Sequence, residues 1–221
     1  MNKTNGISFI LKNFIKKLIP AKLLKRYQVS KTSNRAYKKW VFQKRPIPAP
    51  DIVKYKLLDL YRLKYRPEIL VETGTFLGGM IRAHVSHFKE IHTVELMKKY
   101  YLQATDDFKT EKHIHCHFGE SADILKQIVP QLSAKTIYWL DAHYSVDLFA
   151  RGRSDCPALE ELEMIFQNPA DPVILIDDAR DFTGIGDYPA VDTVIKFIKL
   201  KRPYYSVYVK DDIIVAVPGK R

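Results

Sequence analysis

Between residues 51 and 201, short apolar runs alternate with longer stretches in which hydrophobic positions recur every three or four residues. The short runs, such as Val173–Ile176, are rich in Ile, Val and Leu, which is typical of parallel strands covered on both faces. The longer stretches have the period of amphipathic helices. The alternation predicts βαβ units and a doubly wound α/β sheet. We predict strands at residues 69–73, 91–95, 113–118, 136–141 and 172–177, and helices at residues 51–66, 79–88, 97–109, 121–132, 157–167 and 189–201.

The C-terminal part of the sequence has a different pattern. Tyr204–Val209 and Ile213–Val217 are two β-rich runs joined by three polar residues, and this spacing predicts an antiparallel hairpin. The complete prediction is a Rossmann-like, mostly parallel sheet of seven strands that ends in an antiparallel β-hairpin.

A basic, amphipathic segment precedes this sheet. Residues 7–18 place their apolar side chains on one helical face, with lysines on the other side. Residues 1–50 contain 13 of the 36 basic residues and none of the 25 acidic ones, so the net charge of +11 belongs to this segment. The proline cluster at residues 46–50 predicts a linker. We therefore predict an extension at residues 1–50 and a domain at residues 51–221.

Three roles for the basic extension are open. It could bind an anionic membrane surface through residues 7–45, or pack on the core or on a partner subunit, as in a homodimer. Nucleic-acid binding through the aromatic side chains among its basic residues ranks third. The apolar stretch at residues 7–24 is interrupted by lysines and lacks a small-residue cleavage site, which argues against a signal peptide or a membrane span. We expect a cytoplasmic protein, with peripheral attachment to the inner face of the membrane in the first alternative.

The most informative stretch of the sequence is Ile-Leu-Val-Glu-Thr-Gly-Thr-Phe-Leu-Gly-Gly at residues 69–79. It predicts a strand, a tight turn and a helix, and ligands bind beyond the carboxyl ends of strands in such sheets. The turn lacks the middle glycine of a dinucleotide fingerprint, and Glu72 before it favours a cationic group such as a sulfonium. Glu95 suits ribose hydroxyls, and residues 119–121 could border a purine. The predicted cofactor-binding residues are Glu72, Gly74, Thr75, Phe76, Gly78, Glu95, Gly119, Glu120 and Ser121.

Acidic residues also follow the fourth and fifth predicted strands. Asp141 and His143 come after the fourth strand, and Asp177 and Asp178 come after the fifth. Because the carboxyl ends of parallel strands lie at one edge of the sheet, we expect these side chains to face the cofactor loop. Asp141 or His143 is the candidate base that takes a proton from a substrate.

On these residues, the sequence from 51 to 217 resembles the class I S-adenosylmethionine-dependent methyltransferases. The motif Glu72-x-Gly74-x-Phe76-x-Gly78 looks like the version found in metal-dependent O-methyltransferases of the catechol and macrolide-sugar types. The resemblance implies S-adenosylmethionine as cofactor and Mg²⁺ held by Asp141, Asp177 and Asp178. It implies an enzyme that methylates a hydroxyl of a small molecule or a glycan. By analogy of fold and charge, a bacterial peripheral enzyme that acts on a surface-polysaccharide precursor would suit the basic extension.

Several alternatives stay open. The chain could be a nucleic-acid methyltransferase that uses its basic arm, although the end of the fourth strand lacks an Asn/Asp-Pro-Pro-Tyr pattern. It could also be a non-catalytic module that binds a cofactor or a sugar. Alternating His113, His115 and His117 suggest zinc, but we favour a half-buried edge strand with these side chains outward. Arg151 and Arg153 either recognise an anionic substrate group or lie in a solvated loop.

Overall fold

The computed structural model describes residues 34–142 and 152–219. The chain divides into two compact units, one that ends at Pro46 and one that begins at Ile47. In the first unit, residues 34–42 are helical, and the Trp40 indole donates a hydrogen bond to the Pro46 carbonyl at 2.8 Å. The helix predicted at residues 7–18 lies outside the described residues. The domain boundary at residue 50 stays a prediction.

The second unit alternates helices and strands in the predicted order. Its regular elements are α1 (Asp51–Tyr65), β1 (Ile69–Thr73), α2 (Gly79–His84), β2 (Glu90–Glu95), α3 (Lys98–Asp107), β3 (Ile114–Phe118), α4 (Ser121–Ile128), β4 (Thr136–Leu140), α5 (Ala158–Ile165), β5 (Val173–Ile176), α6 (Val191–Lys201), β6 (Tyr205–Lys210) and β7 (Ile213–Pro218). Two short 3₁₀ turns, Val129–Gln131 and Ala179–Asp181, follow α4 and β5. Among the described residues, no helix has the length and apolar character needed to cross a membrane.

All seven strands form one sheet in the order β3-β2-β1-β4-β5-β7-β6. The first five strands are parallel, whereas β7 lies antiparallel to both β5 and β6. The predicted seven-stranded Rossmann-like sheet with a C-terminal antiparallel hairpin is therefore confirmed. The strand order reverses between β1 and β4, and ligands of open α/β sheets bind at this kind of switch point.

Apolar side chains cover both faces of the sheet. Leu70 of β1 packs in a cluster with Leu58 of α1 and Ile81 of α2. Its neighbour Val71 points to the other face and packs with Leu125 of α4. Every residue of β1, β4 and β5 is buried. This burial on two sides explains why these strands contain consecutive apolar residues, as in Ile69–Val71 and Val173–Ile176, rather than alternating patterns.

Two helices end four residues earlier than the sequence predicts. The α2 helix ends at His84 because a tighter turn follows, closed by a hydrogen bond from the His87 amide to the His84 carbonyl at 2.9 Å. The α4 helix ends at Ile128 and continues as a 3₁₀ turn through Gln131. Pro130 has no amide hydrogen and cannot make the helical hydrogen bond at this point, which explains the early end.

Candidate active site

The turn after β1 lies directly against the end of β4. Gly74 has a φ of +84°, and a Cβ atom at this position would lie 2.2 Å from the carbonyl oxygen of Asp141. No side chain can be accommodated at that distance. Gly74 is therefore required for the contact between the predicted cofactor loop and the predicted acidic site, apart from any role toward a ligand.

Glu95 at the end of β2 holds the glycine turn in place. One oxygen of its carboxylate, Oε2, accepts a hydrogen bond from the Phe76 amide at 2.8 Å, and Oε1 accepts one from the Met97 amide at 2.7 Å. Phe76 has a φ of +45°, which is unusual for a residue with a side chain. A carboxylate has about four acceptor positions, so Glu95 keeps acceptor capacity for the hydroxyls that the sequence assigns to it.

Glu72 is a buried carboxyl group in an acidic environment. The Thr93 hydroxyl donates to its Oε2 at 2.7 Å, and the Thr75 hydroxyl lies 2.6 Å from that of Thr93. Burial raises the pKa of Glu72 to about 8; Thr93 opposes the shift, and the nearby charges of Asp141 and Glu95 add to it. A bound group with positive charge would relieve this repulsion, whereas a phosphate would increase it.

The remaining residues predicted for the cofactor surround the same edge of the sheet. Gly78 adopts a left-handed conformation and is the N-cap of α2. Gly119 has a φ of +144° and donates its amide hydrogen to the Glu95 carbonyl at 3.1 Å. Buried Ser121 begins α4. These positions shape the backbone around the ends of β1, β2 and β3.

Glu120 has a partner that the sequence does not predict. Its Oε1 accepts a hydrogen bond from the Arg153 amide at 3.2 Å. The Arg153 side chain contacts Asp123 of α4 at 2.8 Å. In the described residues, the carboxylate of Glu120 therefore holds the backbone that leads into α5.

Three aspartates come together at the ends of β4 and β5. Each of Asp141, Asp177 and Asp178 offers an oxygen, and these three atoms lie within 4.8 Å of one another. The Asp177 side chain is fully buried, whereas Asp141 and Asp178 are partly exposed. Burial raises the pKa of Asp141 to about 7, although the charge of Lys54 lowers it. Burial and the charge of Asp141 raise the pKa of Asp177 as well.

Sequence reasoning missed Lys54 of α1, which reaches into this cluster. Its ammonium forms an ion pair with Asp177 Oδ2 and lies 3.4 Å from Asp178 Oδ1. Burial disfavours the ammonium, but the charges of Asp177 and Asp141 outweigh this effect and raise the pKa of Lys54 above its usual range. Lys54 precedes Leu57 and Leu58 by three and four positions, so it lies on the buried stripe of α1. A lysine on an apolar helical stripe was the signal that could have revealed it.

Arg180 and Asp212 connect the cluster to the C-terminal hairpin. The Arg180 guanidinium contacts Asp178 Oδ1 at 2.8 Å and also forms an ion pair with Asp212 in the β6–β7 turn. Asp212 accepts the Arg180 amide hydrogen at 2.9 Å. Asp178 has a φ of +53°. These contacts hold it in that conformation beside Asp177.

The histidines that the sequence singles out do not form a common site in the described residues. His143, the second candidate base, lies outside the described residues. In the described part, β3 is an edge strand, and the His117 and His115 rings stack on His92 of β2. Burial lowers the pKa of His117 to about 4, and the neighbouring His92 and His115 add to the effect. His113 Nε2 lies 2.8 Å from the Val85 carbonyl. The histidines do not gather around one point.

No family model matches the sequence, and no curated protein matches it. Solved structures are similar to it in fold. The O-methyltransferase of Bacillus cereus in complex with SAH has a TM-score of 0.56 and 16% identity, covering 86% of this chain and 91% of its own. The SAH-bound methyltransferase of Podospora anserina has a TM-score of 0.55 and 15% identity, covering 92% and 98%.

A third similar structure is the SAM complex of an O-methyltransferase of Streptomyces achromogenes involved in tomaymycin synthesis. It has a TM-score of 0.51 and 17% identity, and the alignment covers 85% of this chain and 89% of that chain. Identities this low show the fold alone, and that fold agrees with the mixed sheet described above. The chain has the fold of the class I S-adenosylmethionine-dependent methyltransferases.

Proposed function

We propose that the protein is an S-adenosylmethionine-dependent methyltransferase that methylates a hydroxyl group of a small molecule or glycan. The observation that carries this proposal is the contact between the two halves of the site. Gly74, in the loop predicted to bind the donor, approaches Asp141 of the acidic cluster so closely that an added Cβ would lie 2.2 Å from the Asp141 carbonyl oxygen. A donor bound at one half and a hydroxyl bound at the other would lie side by side, as direct methyl transfer requires.

The residues of the first half suit this donor by their charge. S-adenosylmethionine supplies a methyl group on a positively charged sulfur. Glu72 is buried among acidic neighbours, so a cationic group beyond β1 stabilises its ionised form. Glu95 ends the neighbouring strand and has acceptor positions for hydroxyls, while its hydrogen bond to the Phe76 amide fixes the loop between the two glutamates.

The residues of the second half suit a hydroxyl acceptor. The acceptor oxygen forms a bond to the methyl carbon while the bond from that carbon to sulfur breaks, and the hydroxyl proton must leave. Asp141 is partly exposed at the end of β4 and is the group that we assign to take this proton. Its pKa of about 7 suits a base that works near neutral pH. His143 remains the alternative base.

One observation on the three aspartates favours Mg²⁺ binding, and another opposes it. Three carboxylate oxygens within 4.8 Å of one another are a donor set that a hard cation prefers. However, the Lys54 ammonium already contacts Asp177 and Asp178. An ion bound to Asp177 Oδ2 and an ammonium paired with that same atom exclude each other. With Lys54 in this position, the residues do not fit a resident Mg²⁺, and we assign no step to it.

The proposal is tested by separating donor binding from turnover. We expect the full-length protein to bind S-adenosylmethionine in a calorimetric titration, and to release S-adenosylhomocysteine with a panel of hydroxylated acceptors. Asp141→Asn should keep the affinity for the donor and lose about 100-fold or more in turnover, since general-base catalysis contributes about that much. Asp106→Asn, at an exposed aspartate of α3 that pairs with Lys109, is the matched control. Absence of donor binding by the wild type would contradict the proposal.

A further inference from the structure

We propose that the Lys54 ammonium is the resident cation of the Asp141, Asp177 and Asp178 cluster and takes the place of a divalent metal ion. The chain would then carry its own positive charge at the acceptor site, on a helix that precedes the whole sheet in sequence. That this charge acts at an acceptor site rests on the proposed methyl transfer. The occupation of the cluster by the ammonium does not depend on that function.

The hydrogen bonds of Asp177 support this assignment. Its Oδ1 accepts the Asp178 amide hydrogen at 2.8 Å, and its Oδ2 pairs with the Lys54 ammonium. Both oxygens of this carboxylate therefore have partners from the chain itself. The Asp177 side chain has no exposed surface. Mg²⁺ usually keeps several water molecules when it binds to proteins, and with Lys54 paired to its Oδ2 the Asp177 side chain has no solvent-exposed surface for them.

The charges around the cluster support it as well. Asp178 Oδ1 receives the Arg180 guanidinium at 2.8 Å and lies 3.4 Å from the Lys54 ammonium. Two basic side chains thus already contact Asp177 and Asp178. A divalent ion added to this arrangement would be repelled by both cations, and it would have to displace Lys54 from a buried carboxylate.

The position of Lys54 on its helix explains how the ammonium is kept there. Its side chain is 17% exposed, and the neighbouring residues Val53, Leu57 and Leu58 are buried. The apolar stripe of α1 fixes the helix on the sheet and brings the lysine stem with it. A buried charge is strongly destabilising unless it is paired, so the ammonium and the carboxylates stabilise each other in this position.

The test is a calorimetric titration of the chelator-treated, full-length protein with MgCl₂. We expect no saturable Mg²⁺ binding by the wild type. Lys54→Met keeps the apolar stem, removes the competing charge and should bind Mg²⁺ at least tenfold more tightly than the wild type. This gain should disappear in the double variant Lys54→Met/Asp178→Asn. Lys56→Met removes a charge from an exposed position of the same helix and should behave as the wild type does.

Mg²⁺ is the probe because a second group of possible ligands exists among the described residues. Asp59, His84 and His87 also bring ligand atoms within 4.8 Å of one another, and their two imidazoles would attract zinc rather than Mg²⁺. A His87→Ala background removes any remaining contribution from that group.

Two outcomes overturn the proposal. One is saturable Mg²⁺ binding by the wild type that Asp178→Asn abolishes, and this outcome is decisive even if Lys54→Met does not fold. The other is a folded Lys54→Met variant that still does not bind Mg²⁺, because the ammonium would then not be what excludes the ion. The titrations use neither donor nor acceptor, so this proposal and the proposed methyl transfer can fail independently.

Discussion

The carboxylate of Glu95 accepts a hydrogen bond from the backbone amide of Phe76 at 2.8 Å. This contact connects the end of β2 to the turn after β1, and it stabilises a positive φ at a residue that is not glycine. The turn is therefore held by a side chain from the neighbouring strand as well as by its own glycines. The same carboxylate is the predicted partner of the donor's ribose, so it joins loop geometry to ligand binding.

Glu95→Gln should weaken donor binding by tenfold or more. The amide oxygen of glutamine can replace only one of the two carboxylate oxygens as an acceptor. Its NH₂ group would face the second backbone N–H, which is also a donor, so the loop loses one hydrogen bond. We also expect a loss of about 1–3 kcal/mol in the free energy of unfolding, the usual cost of an unsatisfied buried group. Calorimetric titration with S-adenosylmethionine and urea denaturation measure the two effects. Glu90→Gln, at the start of the same strand, is the control, and equal donor affinity in both variants would refute the prediction.

Gly74→Ala should destabilise the fold more than Gly186→Ala. Both glycines have positive φ, so both substitutions introduce backbone strain of about 1–2 kcal/mol. At Gly186 a Cβ would meet nothing within 4 Å, whereas at Gly74 it would lie 2.2 Å from the Asp141 carbonyl. The Gly74 variant must therefore also separate the loop from β4. Urea denaturation of both variants compares the two losses, and similar values would show that the close approach does not matter.

The stability of the protein should depend on pH through Glu72. Its pKa in the folded state is about 8, against an ordinary value of 4.5 for this side chain. The folded state therefore binds more protons than the unfolded state between these values, and the free energy of unfolding falls as pH rises through this window. The contribution is at most about 5 kcal/mol, taking about 1.4 kcal/mol for each tenfold change.

Glu72→Gln isolates this contribution, because glutamine keeps an oxygen acceptor for the Thr93 hydroxyl and cannot ionise. Relative to the wild type, the variant should become more stable as pH rises from about 5 to about 9. Urea denaturation at several pH values gives the difference in free energy of unfolding. A difference that stays constant over this range would mean that Glu72 ionises normally in the folded protein.

The strands and the edge of the sheet that holds the acidic residues could be predicted from the sequence for a simple reason. Strands such as β4 and β5 are buried on both faces, and this burial leaves unbroken apolar runs that are easy to locate. Because parallel strands end at one edge, the positions of Asp141 and Asp177 at the ends of two such runs are enough to predict that they lie together.

What could not be predicted depends on contacts between distant elements. Lys54 meets Asp177 only after α1 has packed on the sheet, 123 positions before its partner in sequence. Arg180 meets Asp212 only because β7 lies beside β5. The spacing of residues along the sequence does not indicate such pairs. Their only traces were a lysine on an apolar helical stripe and an aspartate in a hairpin turn, and each of these residues is common for other reasons.

The bond between Arg180 and Asp212 has a consequence for synthesis of the protein. Asp212 and β7 come late in the chain, yet β7 pairs with β5 and Asp212 contacts the arginine beside Asp178. While residues 213–218 are still missing from a growing chain, β5 has an unpaired edge, which is a template for association with other strands. The proposed acceptor side of the site is therefore completed only after the glycine turn and its two glutamates have already been made.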